Sequence, residues 1–135
     1  MIYSLDPANP SKRASAGTLI AASFAAGTMV TSPQCLNECY RVLTRKSLLV
    51  GREEARAFIA ALLPTCRAPL DGDTIARAFE VESRTGYDWW DSLLLAAALL
   101  ARCRYFLSED LQDGRVVDGL TILNPFDRDI RPLLS

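Results

Sequence analysis

Residues 87–126, YDWWDSLLLAAALLARCRYFLSEDLQDGRVVDGLTILNPF, decide the fold. Asp91 opens a segment in which residues 93–100 are apolar without interruption. Residues 105–107 continue as a strand, Glu109, Asp110 and Asp113 follow where that strand stops, and a second apolar strand begins at Leu120. A helix that is apolar all round is normally packed inside an α/β sandwich, so the acids of this stretch lie at the edges of something buried and must find partners there.

Working towards the N-terminus, the punctuation is local and chemical. Asp88 is placed to cap the helix that carries Asp91, and Gly86 to end the one before it, which runs to about Thr85 from a cap at Asp71 or Asp73. Residues 53–63 read as a helix stopped by Pro64, and residues 66–70 as a connector or edge strand with prolines around it. Ser32-Pro33 starts a helix carrying Glu38, and Asn9-Pro10 starts another that Gly27 stops. Strands are expected at Met1, Thr28, Cys103 and Leu120. Helices alternating with continuously apolar strands imply parallel β with helices on both faces, and in such sheets chemistry gathers at the carboxyl ends of the strands.

Composition narrows the class. A chain of 135 residues has room for one domain with a real core, and 50% hydrophobic against 23% charged residues is a globular balance. The longest apolar run is far too short for a bilayer-spanning helix, and residues 1–6 have neither a basic leader nor an apolar signal core, so a cytoplasmic protein without a membrane partner is expected. A net charge of −1 does not announce nucleic-acid binding through bulk electrostatics, so any RNA contact must be local. Cys35, Cys39, Cys66 and Cys103 show no zinc spacing in a chain without histidine, and Cys35 and Cys39, one helical turn apart, read as buried small hydrophobes rather than a redox pair.

Each acid has a structural explanation. Asp91 is the third residue of a helix capped by Asp88, where a carboxylate complements the free N–H groups, while Asp110 and Asp113 can shape the turn that Gly114 completes. Around one pocket, however, three or four carboxylates repel one another and take up protons unless a cation neutralises them. With oxygen ligands alone, that cation is expected to be Mg2+ or Mn2+.

Three signatures in this stretch resemble those of the PIN domain family, the fold of the VapC-type toxin ribonucleases. Trp90-Asp91-Ser92-Leu93 matches a helix opening W-D-(A/S)-L, Ser108-Glu109-Asp110-Leu111 with Gly114 matches S-E-D-L-x-x-G, and residues 119–126 match G-L-x-I-x-N-P-F. Residues 32–38, SPQCLNE, are similar to the family's strand-ending Ser followed by a helix presenting a metal-binding Glu. The resemblance implies an α/β, PIN-like three-layer sandwich with a central, mainly parallel sheet. It implies metal-dependent cleavage of RNA phosphodiester bonds, with Glu38, Asp91 and Asp110 as catalytic metal ligands, Asp113 as a fourth member and Ser108 orienting water. It also implies an RNA substrate, a VapB-like antitoxin and a homodimer. Lys12, Arg13, Arg41, Arg84 and Arg115 are candidate phosphate contacts.

The family opens with D-x-N-x-L-x-Y on its first, central strand, and here only the L-x-Y end is matched, at residues 1–3. The expectation is therefore a single PIN-like domain, residues 1–135, truncated at its N-terminus relative to the family. Asp6 lies past the strand end and does not replace the missing Asp. The alternative function is a catalytically impaired PIN domain that only binds RNA or an antitoxin. A receiver-like phosphoacceptor, suggested by topology alone, lacks the acidic cluster at its first strand.

Overall fold

A computed structural model describes residues 2–45 and 50–133. Five helices come first: α1 (Pro10–Ala25), α2 (Pro33–Leu43), α3 (Arg52–Leu62), α4 (Gly72–Thr85) and α5 (Trp89–Leu100). The strands β1 (Tyr105–Leu107), β2 (Val116–Val117) and β3 (Leu120–Leu123) follow, with 3-10 turns at Ile2–Leu5, Leu63–Thr65 and Arg131–Leu133.

The helix boundaries follow from their caps. Ser32 Oγ accepts from the Cys35 N–H at 3.2 Å with Pro33 at the first helical position. Asp71 and Thr74 form a reciprocal capping box at α4, which ends where Gly86 turns left-handed at φ 71°. Asp88 accepts from the Asp91 N–H at 2.8 Å. Asn9 precedes Pro10 as expected but does not cap α1 through its side chain. Its amide donates instead to Asp6, which also accepts from the Ala8 N–H, so the carboxylate builds the entry turn.

The sheet has the order β1-β3-β2. β1 and β3 are parallel, Phe106 opposite Ile122, while β2 pairs antiparallel with β3 through a tight hairpin. Its two turn residues, Asp118 and Gly119, both have positive φ, the Asp-Gly pattern that matches the twist of the flanking strands. The fold is α/β, with a small mixed sheet.

Three expected strands differ. Residues 28–31 supply only one bridge, parallel, between Thr31 and Cys66. The N–H groups of Thr28 and Met29 bond back to Ser23 to close α1, Arg67 donates to the carbonyls of Gly27 and Met29, and Ser32 is already a cap. That leaves Val30 and Thr31, of which Thr31 makes the bridge. The strand expected over residues 1–5 is a 3-10 turn from Ile2, Met1 lying outside the described residues. Leu5 packs on the α2–α3 cluster, so local i to i+3 bonding accompanies a side-chain contact rather than a sheet ladder. The strand expected from Cys103 begins at Tyr105, because Arg102 turns to φ 58° and the Cys103 N–H bonds back to Ala98 to finish α5.

Apolar packing falls into two clusters. One joins Ala78 and Val81 of α4, Leu93, Leu95, Ala96 and Ala98 of α5, and Val117, Leu120 and Ile122 of the sheet. The other joins Cys39 and Leu43 of α2 to Ala55 of α3, flanked by Tyr40, Phe58 and Ile59. Burial pushes the Cys35 thiol up to about 11, which makes it a poor nucleophile at neutral pH. Among the described residues, no helix is long and apolar enough to cross a membrane.

Candidate active site and metal centre

Three acids from three separate elements meet electrostatically at the N-terminal end of α5. Glu38 is exposed on α2, Asp91 is half-buried on the first turn of α5, and Asp110 is exposed just beyond β1. The Asp91 carboxyl is raised above its ordinary value, first by burial and then by the charges of Asp88, Asp110 and Glu38. A carboxylate at the third position of a helix is normally favoured by the helix dipole, so the neighbouring charges and the loss of water outweigh that term here.

Local structure presents each acid. Gln34, one turn before Glu38, donates its amide to Glu38 Oε1 at 3.0 Å and to the Trp90 carbonyl at 3.1 Å. Ser108 accepts from the Asp110 N–H at 3.2 Å and the Leu111 N–H at 3.3 Å, forming the turn that carries Asp110. Its oxygen is thus occupied as an acceptor, and its O–H remains to donate. Glu109 pairs with Lys12 of α1, whose ammonium lies 5.1 Å from the centre of the Phe126 ring.

Asp113 is engaged elsewhere. Its Oδ1 accepts from the Asn124 N–H at 2.8 Å and its Oδ2 pairs with Arg128. These contacts hold its carboxyl below the ordinary value, the Asn124 bond contributing most, and Asp113 is not among the charges acting on Asp91. Glu38 and Asp110 therefore act on Asp91 through their charge, while Asp113 is held towards the loop after β3.

The candidate phosphate contacts divide similarly. Arg115 lies 4.8 Å from the centre of the Tyr87 ring and donates to the Thr85 carbonyl, and Arg84 pairs with Asp118, so both brace α4 and the segment after it. Lys12 is committed to Glu109, while Arg13 and Arg41 are exposed.

Sequence reasoning missed Gln34, although its i, i+4 spacing from Glu38 on one helix was a usable signal. It also treated Asp88 as a cap alone, when its charge contributes to the raised Asp91.

A hard divalent cation suits this donor set, because positive charge would relieve the repulsion that raises the Asp91 carboxyl and all donors are oxygen. Among the described residues, no three acidic, cysteine or histidine side chains are gathered closely enough to hold an ion as they stand. The fit is therefore one of donor chemistry.

Comparison with curated proteins returns no match. The family model of the PIN domain matches residues 3–117, a span that includes Glu38, Asp91, Asp110 and Asp113. PIN domains are a nuclease-type fold whose members generally use divalent metal ions and bind RNA. With most of its length matched, this chain belongs to the PIN domain family.

Proposed function

We propose that the protein is a metal-dependent endoribonuclease of the kind found as the toxin of type II toxin-antitoxin systems. The observation that carries the reading is the raised Asp91 carboxyl, half-buried and opposed by Asp88, Asp110 and Glu38 at the end of an apolar helix. A carboxyl perturbed by burial and by charges from separate elements is a functional-site candidate. Glu38, Asp91 and Asp110 would hold the cation, Mg2+ or Mn2+, and Asp113 would shape the turn beside them. The bound ion would supply acidity to a coordinated water and offset charge on the phosphate. Ser108, with its O–H still able to donate, can orient a water or phosphate oxygen next to Asp110. Trp90, 62% exposed on the first turn of α5, offers a face on which an unpaired base can stack.

The partner that fits the acidic edge is an antitoxin segment presenting Arg or Lys, since a cationic side chain relieves the same repulsion as a metal ion. A homodimer, in a cytoplasmic setting, belongs to the same reading.

The test is cleavage of single-stranded and structured RNA with Mg2+ or Mn2+ against a chelator control, for wild type and Asp91→Asn. Cleavage that requires the metal and is lost in a folded Asp91→Asn supports the proposal. Metal-independent cleavage, or full activity in the variant, counts against it. RNA binding without cleavage would leave the impaired, binding-only PIN domain as the function.

A further inference from the structure

Gln34 is a buried amide, 8% exposed, in the midst of the proposed metal site. Its Nε2 has two hydrogens and two neighbours that can only accept, the Glu38 carboxylate and the Trp90 carbonyl, at 3.0 and 3.1 Å. The orientation of the amide is thereby fixed by chemistry: exchanging its oxygen and nitrogen would face oxygen against oxygen twice. Among the described residues, this is the hydrogen bond that joins α2 to α5.

The link matters because, among the described residues, the two helices contribute to different apolar clusters. Cys39 and Leu43 of α2 pack in one cluster, and Leu93, Leu95, Ala96 and Ala98 of α5 in the other. Glu38 and Asp91 therefore stand on opposite sides of a seam between two cores. Gln34 makes a polar contact across it that touches the acid directly and the backbone of the residue before Asp91.

Resting on the nuclease reading above, we propose that Gln34 is a positioning residue. It holds Glu38 against the first turn of α5, so that Glu38 and Asp91 face the same divalent cation. Glutamine has the reach to span both acceptors from the preceding turn of α2; asparagine is one methylene shorter, and methionine has similar length without a donor.

A double-mutant cycle separates positioning from simple support of the fold. Mn2+ binding to the full chain is measured by titration calorimetry, with thermal melting of the metal-free protein, for wild type, Gln34→Met, Glu38→Gln and the double variant. Gln34→Met is expected to weaken Mn2+ binding about 10-fold, within the range for groups that orient ligands. In the Glu38→Gln background, the same change should matter by less than about twofold, because nothing remains to position. Gln34→Asn, which keeps a buried amide, should reproduce the loss seen with Gln34→Met and serves if the latter does not fold. Equal effects of Gln34→Met in both backgrounds, or wild-type Mn2+ affinity in Gln34→Asn, overturn the proposal. If Glu38→Gln alone leaves Mn2+ affinity unchanged, the metal-site reading fails first and takes the role of Gln34 with it.

Discussion

Arg128 pairs with Asp113, whose other oxygen accepts the Asn124 N–H, so this acid belongs to the loop that closes the chain after β3. Asp113→Ala should lower the melting temperature at pH 7 and leave Mn2+ affinity unchanged. The sign follows from the depressed carboxyl: its contribution is present above the unfolded-state value and is lost as the pH falls through the folded one, so the gap from wild type narrows on acidification. The effect is small and weakened by salt, since the pair faces solvent. A fall in Mn2+ affinity would return Asp113 to the ligand set.

Asp91 runs the other way. Its carboxyl is raised by burial and by Asp88, Asp110 and Glu38, so the folded state binds the proton more tightly than the unfolded state does. Its ionisation costs stability as the pH rises from the ordinary carboxylate value through the raised one. Without metal, Asp91→Asn should therefore melt at or above the wild-type temperature at pH 7, with the difference shrinking towards pH 4. RNA cleavage should fall by roughly 100-fold or more, the upper end of what misplacing a metal's surroundings costs. A metal-free protein destabilised at pH 7 by Asp91→Asn would show that its acidity is a structural asset.

Asp118 sits at the β2–β3 turn with φ 48° and pairs with both Arg77 and Arg84 of α4. Asp118→Asn keeps a residue tolerant of that backbone and removes the charge. It should cost about 0.5–1 kcal/mol in urea unfolding, less at high salt. Asp118→Ala, which adds backbone strain, should cost more. Equal losses would mean that the turn conformation carries no part of the effect.

Leu95 is fully buried where α4, α5 and the sheet meet. Leu95→Ala should cost about 2–5 kcal/mol, by lost transfer energy plus the cavity left behind. Denaturant melts at constant temperature measure this directly. A cost under about 1 kcal/mol would mean that the small alanines of α5 let the site collapse.

Trp90 is exposed beside the acids, and Trp90→Ala should weaken binding of single-stranded RNA by about 1–3 kcal/mol, the usual loss of one stacked base. Fluorescence anisotropy in Asp91→Asn, which is expected to bind without cutting, reads this. Unchanged affinity would direct Trp90 to another partner.

The chemistry that starts and stops helices is local, and it was therefore legible. Ser32-Pro33, Gly86 and Asp88 mark the ends they were expected to mark, and Asp71, one of the two residues expected, caps α4, because a cap needs only neighbours within a turn. The apolar run of α5 likewise determined that it would be buried, and β1 and β3 followed from the runs after it. Residues 28–31 misled for the opposite reason: their β-branched character suits a strand, but pairing is non-local, and Ser23, Arg67 and the cap at Ser32 had already claimed the backbone.

For the site, the sequence by itself determined which acids lie at element ends, through Asp91 after its cap and Asp110 after its strand. Only the tertiary structure decided which of them meet. The charges of Glu38 and Asp110, distant from Asp91 in sequence, act on it, while Asp113, close to Asp110 in sequence, is drawn off by Arg128 and Asn124. The same is true of Gln34, whose partner at Trp90 is supplied by another helix. Periodicity and capping act within a few residues, whereas repulsion and hydrogen bonding act through space, and the chain's path through space is set by packing across the whole domain.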